Sequence, residues 1–220
     1  MGGAGPLSLR QGSLLLDAAM GTALIARGRR GRAPAANLAA PDIVLSIHSA
    51  HVAAGAQLVL TNTFIGASAE EAAAALRLAR ASGARWVAAS LWAGLSDLPL
   101  QIAQLAGADA IWLETATSAD QALAAVRAAV KVTSLPVAVT CALRSAPLQA
   151  LRDAGAAAAG YNCSPWPDDW TGADILKADA AGLSPADWAS RLTGRPLPRL
   201  AGGCCGTDAL HLAALRASRA

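Results

Sequence analysis

Three cysteines in the second half of the chain have the residue type and the surroundings of a metal-binding site. Cys204 and Cys205 are adjacent in the segment Gly-Gly-Cys-Cys-Gly-Thr at residues 202–207, and Cys163 follows Asn162 upstream. Neighbouring side chains on an extended strand point to opposite faces, so both sulfurs can face one point only if the backbone bends sharply. Flanking glycines make such a bend sterically cheap. Thiolates are preferred zinc ligands, and a catalytic zinc has three protein ligands and one open position. The sequence therefore predicts Zn²⁺ bound by Cys163, Cys204 and Cys205.

Two other interpretations of these cysteines stay open on residue type alone. Free cysteine is among the most buried residue types and often only fills a core, and neighbouring cysteines can form a strained vicinal disulfide. No C-x-x-C spacing is present to strengthen the metal interpretation. The N-terminal residues lack a basic region followed by an apolar stretch of signal-peptide length, so we expect a cytoplasmic protein whose cysteines stay reduced.

Composition restricts the class of protein. The chain has 220 residues, enough for one sizeable core, and 54% of them are hydrophobic, many being alanine. The net charge of +3 is small, and no basic stripe with interleaved aromatic residues is present, so nucleic-acid binding is not expected. Residues 43–69 contain no Asp, Glu, Lys or Arg, but histidine, glutamine, threonine and asparagine interrupt them and would be costly in a bilayer. We therefore predict a globular α/β protein without a membrane partner.

The elements that must position the cysteines alternate along the chain. Short apolar segments are separated by Ala/Leu/Arg segments of helical periodicity, which is typical of parallel strands covered on both faces. Eight such units predict a compact (β/α)8 barrel of the TIM type rather than an open sheet, one domain over residues 1–220. The predicted strands are Ser13–Asp17, Gln57–Asn62, Arg85–Leu91, Asp109–Glu114, Pro136–Cys141, Ala156–Asn162, Ala173–Lys177 and Arg199–Cys204. The predicted helices are Ile43–Ala54, Ala69–Ala81, Leu98–Ala106, Ser118–Val130, Ala146–Ala154, Pro185–Leu192 and Asp208–Ala217.

Polar side chains lie at the C-terminal ends of these predicted strands. Asp17 ends the first strand, Asn62 the second and Glu114 the fourth, and the cysteines stand at the ends of the sixth and eighth. Barrel enzymes place their active sites at this face. Strand-to-helix loops also use such residues as helix caps, so each one singly could be structural. Together they predict a polar cavity with a metal site, at the C-terminal end of an otherwise apolar barrel.

Several motifs, in order along nearly the whole chain, give the sequence a specific resemblance. They are Leu-Asp-Ala-Ala-Met-Gly-Thr at 16–22, Leu-Thr-Asn-Thr-Phe at 60–64, Leu-Glu-Thr at 113–115, Asn-Cys at 162–163 and Gly-Gly-Cys-Cys-Gly-Thr at 202–207. In these motifs the chain resembles the homocysteine S-methyltransferase family, and the last motif is the most specific. The resemblance implies a zinc-dependent barrel that transfers a methyl group to the thiol of homocysteine and so takes part in methionine biosynthesis.

The resemblance also implies roles for single residues. The three cysteines match zinc-binding thiolates, with no catalytic residue beyond the zinc site. Asp17 and Glu114 match acids that hold the amino group of homocysteine. Gly21 and Thr22 match a turn that closes over the amino acid, and Asn62 is predicted to contact the substrate with them. A zinc-bound thiol is deprotonated near neutral pH, so homocysteine would react as a thiolate without a general base.

The sequence departs from the family pattern in three places. Ala18 stands where the family usually has glycine after the first-strand aspartate, and Asp-Ala-Ala-Gly at 179–182 stands where it often has Pro-Asn-Ala-Gly. The chain is also shorter than typical members, mainly between the third and fourth strands.

Two classes of function stay open. The first is a methyltransferase with a small sulfonium donor such as S-methylmethionine, because the predicted barrel takes up the chain and leaves no part of it for a folate-binding or cobalamin-binding domain. The second is a homocysteine-activating subunit that works with a separate methyl-corrinoid or folate protein, or a catalytically degenerate barrel. Trp166 and Trp170 could hold a cationic donor by cation–π attraction or simply pack a loop.

Overall fold

A computed structural model describes residues 7–219, and within them the chain forms eight strands in one parallel sheet. The strands are β1 (Leu14–Leu15), β2 (Leu58–Leu60), β3 (Trp86–Trp92), β4 (Ala110–Ala116), β5 (Val137–Cys141), β6 (Ala158–Cys163), β7 (Ile175–Ala178) and β8 (Leu200–Gly203). Each strand from β2 to β8 pairs with its neighbour in sequence, and β8 pairs with β1. Every predicted strand overlaps an observed one.

The sheet closes on itself through β1. Leu14 and Leu15 pair with Leu200 and Ala201 of β8 on one side. On the other side, the Gln57 amide donates to the Leu15 carbonyl at 2.8 Å, and the Asp17 amide donates to the Leu58 carbonyl at 3.1 Å. The predicted (β/α)8 barrel is therefore confirmed.

Nine helices surround the barrel within the described residues. They are α1 (Met20–Ala26), α2 (Ala36–Ala39), α3 (Pro41–Ala53), α4 (Ala69–Ala81), α5 (Leu98–Gln104), α6 (Ala119–Val132), α7 (Leu148–Asp153), α8 (Pro185–Thr193) and α9 (Ala209–Ala217). The seven predicted helices correspond to α3–α9. The connection between β3 and β4 holds only the seven-residue α5, as the predicted shortening requires. Over residues 7–219, no helix has both the length and the apolar character that crossing a bilayer demands.

Helices α1 and α2 were not predicted. Helix α1 starts directly after the first strand, its N-cap Ala19 makes no side-chain capping bond, and its second residue is Gly21. A helix without a capping residue and with an internal glycine carries little local signal. It is held instead by packing, since Ala23 and Leu24 are buried in one apolar cluster with residues of α3. Gly21 and Thr22, which the resemblance assigns to a turn over the amino acid, lie in the first turn of this helix.

The barrel interior changes from apolar to polar along its axis. Side chains on a strand alternate between its two faces. One cluster of buried residues fills the interior toward the N-terminal ends of the strands. It includes Leu16, Trp112, Ala138 and Ile175. The next positions on the same face of the strands, two residues further on, include Ser90, Glu114, Thr140 and Lys177. The alternation thus places a layer of polar side chains directly above an apolar plug, at the C-terminal ends of the strands.

Candidate metal and substrate site

A cavity of about 270 Å³ opens at the C-terminal ends of the strands. All the residues that the sequence predicted for the site line this one cavity: Asp17, Gly21, Thr22, Asn62, Glu114, Cys163, Cys204 and Cys205. They come from α1, β4, β6 and the segments after β1, β2 and β8. Ser90, Asn162 and Lys177 line it as well. The topology therefore gathers side chains from both halves of the chain at one point.

The three cysteines form a cluster whose sulfurs all lie within 4.8 Å of one another. The Sγ atoms of Cys163 and Cys205 are 3.4 Å apart. A zinc ion bonded at about 2.3 Å to each of three sulfurs needs sulfur separations of about 3.8 Å, which this cluster fits. All three cysteines are free thiols, and Cys205 is exposed, so neither a vicinal disulfide nor simple core filling describes them. The residues present fit a tri-thiolate metal site.

The glycines before the cysteine pair are needed for close contacts. A Cβ on Gly202 would stand 2.7 Å from the Asp17 carbonyl oxygen, and one on Gly203 would stand 2.1 Å from Oγ1 of Thr207. Thr207 in turn donates from Oγ1 to the Cys204 carbonyl at 2.6 Å and closes the turn. The predicted bend at the cysteine pair is thus a turn in which Thr207 packs directly against the backbone of Gly203, which has no side chain.

The cysteine thiols share charge unequally. Hydrogen bonds from Cys204 and Cys205 lower the pKa of Cys163 to about 2. The hydrogen bond with Cys163 raises the pKa of Cys204 and also that of Cys205. These opposite shifts favour negative charge on Cys163 over the other two thiols. Such a cluster releases protons when a cation binds to all three sulfurs.

Two non-glycine residues at the cavity have left-handed backbone. Thr115 has φ of 59° and Cys163 has φ of 60°. Asn162 braces the first of them, because its Oδ1 accepts from the Thr115 amide at 3.1 Å and its Nδ2 donates to Thr115 Oγ1 at 2.8 Å. Strained backbone of this kind is retained mainly at functional sites. Ala18, the departure at the first strand, is not among the positive-φ residues in the described part of the chain and needs no glycine there.

Asp17 is buried and both of its carboxylate oxygens are occupied by protein donors. Oδ1 pairs with the ammonium of Lys177, and Oδ2 accepts from the Leu60 amide at 2.8 Å. Lys177 Nζ also lies 3.3 Å from the Asp17 carbonyl oxygen. Burial by itself lowers the pKa of Lys177, but Asp17 and Glu114 outweigh it, so the pKa is raised and the side chain stays an ammonium.

Glu114 lies in the same polar layer on β4. Its Oε1 accepts a hydrogen bond from Ser90 Oγ. Burial raises the pKa of Glu114, against the opposing effects of the Lys177 charge and the Ser90 hydrogen bond. The carboxyl group therefore gains from any further cation that enters the cavity, because that cation would stabilise its ionised form.

The remaining predicted residues have structural partners as well as a place in the cavity wall. Asn62 donates through Nδ2 to the Ala33 carbonyl at 2.6 Å and to Asn37 Oδ1 at 3.1 Å, so it ties the α1–α2 connection to the barrel. Thr22 Oγ1 accepts from the Gly206 amide at 3.3 Å and links α1 to the cysteine segment. Both residues shape the cavity through these contacts.

Lys177 is the main site residue that the sequence did not assign. It ends the predicted seventh strand, and a lysine two positions after Ile175 in an apolar strand is the signal that could have identified it. The period of two puts both side chains inside the barrel. Its partner, Asp17, is distant in sequence, so nothing local shows that the two meet.

The two tryptophans after Cys163 have their faces covered by arginines. The Arg191 guanidinium lies 4.5 Å from the ring centroid of Trp166, and that of Arg195 lies 5.2 Å from the ring of Trp170. Trp170 Nε1 donates to the Pro196 carbonyl at 2.9 Å. These contacts favour the loop-packing role over a cage for a cationic donor.

Comparisons with known proteins agree with the predicted resemblance. The family model for homocysteine S-methyltransferase matches residues 14–92, from β1 through β3, which include Asp17 and Asn62. A search of curated proteins finds no significant match. The metallated form of the homocysteine methyltransferase MmuM from Escherichia coli superposes with a TM-score of 0.75 at 21% identity, over 96% of this chain and 97% of that one. Its apo form gives 0.73 at 22% identity, over 95% and 97%. At this identity the likeness establishes the fold.

Proposed function

We propose that this protein is a homocysteine S-methyltransferase that uses a zinc ion to transfer a methyl group to the thiol sulfur of homocysteine, forming methionine. The observation that carries the proposal is the convergence of three thiols within 4.8 Å of one another on the rim of a cavity that also holds two buried acids. The family match over residues 14–92 supports the same reaction class. The barrel shared with the Escherichia coli homocysteine methyltransferase is consistent with it.

Cys163, Cys204 and Cys205 would hold the zinc. Bound there, zinc would supply the means to deprotonate a substrate thiol near neutral pH. The protein's own residues would position the substrate. Glu114 faces the cavity with a carboxyl group that gains from a cation, so it is suited to hold the substrate ammonium. Asp17, Gly21, Thr22 and Asn62 complete the wall that confines the amino-acid part. Fixing the sulfur relative to an incoming methyl group can account for much of the rate gain.

The donor that fits best is a small sulfonium compound such as S-methylmethionine. A cavity of about 270 Å³ accommodates molecules of amino-acid size. Transfer from a sulfonium to a thiolate neutralises both charges, and a neutral sulfide leaves. The alternative is a subunit that receives the methyl group from a corrinoid or folate protein. The short β3–β4 connection favours it, because a connection that holds only the seven-residue α5 leaves less chain to enclose the donor.

Replacing Glu114 by glutamine is expected to weaken homocysteine binding about tenfold, because a charge-assisted hydrogen bond is lost while the shape is kept. The dissociation constant of homocysteine for zinc-loaded protein, measured by calorimetry, checks this. Glu70→Gln, an exposed acid on α4, is the matched control and should change nothing. An unchanged constant in Glu114→Gln would remove Glu114 from the substrate site.

The donor is tested by incubating zinc-loaded protein with homocysteine and one donor at a time. We expect methionine from S-methylmethionine in the absence of any second protein. Methionine formed only from a methylated corrinoid or methylfolate would replace the small-donor proposal by the carrier-protein alternative. No methionine from any donor, with zinc and homocysteine bound, would refute the methyltransferase itself and leave a degenerate barrel.

A further inference from the structure

Lys177 places a fixed positive charge inside the cavity where a substrate ammonium is expected. The sequence contains two lysines, and Lys131, the other one, is exposed on α6. Lys177 is 2% exposed, and its ammonium contacts both the carboxylate and the backbone carbonyl of Asp17. It belongs to the polar layer above the apolar plug and lines the same cavity as the cysteines.

This ion pair changes what Asp17 requires from a ligand. A buried carboxylate without a protein cation would need a positive charge from the substrate, because an unpaired charge in a dry site is costly. Here that need is already met by Lys177, and the second oxygen of Asp17 is occupied by the Leu60 amide at 2.8 Å. An ammonium group on the substrate therefore gains little from Asp17. Of the two acids that line the cavity, Glu114 is therefore the one that can favour a substrate with an ammonium group over a substrate without it.

Building on the proposed function, we propose that Lys177 is a specificity-determining residue that takes the place of the substrate ammonium at Asp17. The site then also accepts thiols that lack an α-amino group, of the ω-mercapto carboxylic acid class, with an affinity no more than about thirtyfold below that for homocysteine. The group transfer does not involve the amine. The substrate sulfur forms a bond to the methyl carbon, the donor sulfur–carbon bond breaks, its electron pair leaves with the neutral sulfide, and the thiol proton goes to solvent.

The test compares two thiols that differ only in the amine, homocysteine and 4-mercaptobutanoate. Their dissociation constants are measured by calorimetry on zinc-loaded wild-type protein and on Lys177→Met. We expect wild-type protein to prefer homocysteine by no more than about thirtyfold, because one charge-assisted contact, that of Glu114, supplies the preference. In Lys177→Met the preference should grow at least about tenfold more, since Asp17 then needs a cation. Lys131→Met, the same change at an exposed site, should behave as wild type.

The double variant Asp17→Asn with Lys177→Met provides a second measurement if Lys177→Met is poorly folded. It removes both charges together, so its preference should stay close to that of wild type. A larger wild-type preference than about thirtyfold, or a smaller rise than about tenfold in Lys177→Met, would overturn the proposal. Binding is read without turnover, so bound thiols that are never methylated would refute the methyltransferase and leave this inference standing. Failure of both thiols to bind would overturn both.

Discussion

Replacing Cys204 and Cys205 together by serine is expected to leave the protein without zinc and without methyl-transfer activity. Neutral hydroxyls are poor zinc ligands, and the single remaining thiolate of Cys163 cannot hold the ion. Wild-type protein should carry about one zinc per chain. Metal content after gel filtration, measured by mass spectrometry, and methionine formation from homocysteine check the two parts separately.

Cys141→Ser is the control for this experiment. Cys141 is buried in the core, where burial raises the pKa of its thiol to about 11, and it lies outside the metal cluster. The variant should be less stable, because a hydroxyl is buried, but it should keep its zinc. Full zinc content in the double serine variant would contradict the tri-thiolate site. Zinc loss in Cys141→Ser equal to that of the double variant would point to unfolding as the cause of metal release.

Replacing Asp17 by asparagine is expected to lower the free energy of unfolding by about 3–5 kcal/mol, because it leaves the buried Lys177 ammonium without its partner. The side chains of the pair are 4% and 3% exposed, so water cannot compensate for the lost charge. Urea denaturation followed by circular dichroism gives the difference. Adding Lys177→Met to Asp17→Asn should restore most of the stability, since neither charge of the pair then remains.

The ion pair between Arg144 and Asp168 serves as an exposed control. Its nitrogen–oxygen distance is 3.0 Å, but the two side chains are 67% and 72% exposed. Asp168→Asn should therefore change the free energy of unfolding by less than about 1 kcal/mol. If Asp17→Asn were as mild as Asp168→Asn, the Lys177 ammonium would have another partner or access to water. The assignment of a dry, mutually dependent pair would then be wrong.

The strands were predictable because their pattern is local. The apolar residue types before Glu114 and before Asn162 each predict a buried strand, and the structure contains both strands, β4 and β6. The capped helices were predictable for the same reason, since Ser118 and Ser184 accept the hydrogen bonds expected of N-cap residues. Helix α1 was missed because it has no capping bond and is held by contacts with α3, which lie beyond any local window.

The same distinction between local pattern and distant contact applies to the candidate site. The types of its residues, three thiols with two acids at strand ends, followed from the sequence, and the closed barrel explains why they line one cavity. The polar layer inside the barrel could in part be predicted, because the alternation of side chains on a strand assigns Glu114 and Lys177 to the interior once the strands are known.

The sequence by itself determined the barrel, the strand ends that carry the polar residues and the three thiols of the candidate metal site, because periodicity and residue type are properties of short segments. Only the tertiary structure decided which buried acid is already neutralised. Asp17 and Lys177 are 160 positions apart, and they meet because β1 and β7 flank β8 in the closed sheet. An ion pair is a property of the distance between two charges in a dry interior, and chain closure sets that distance.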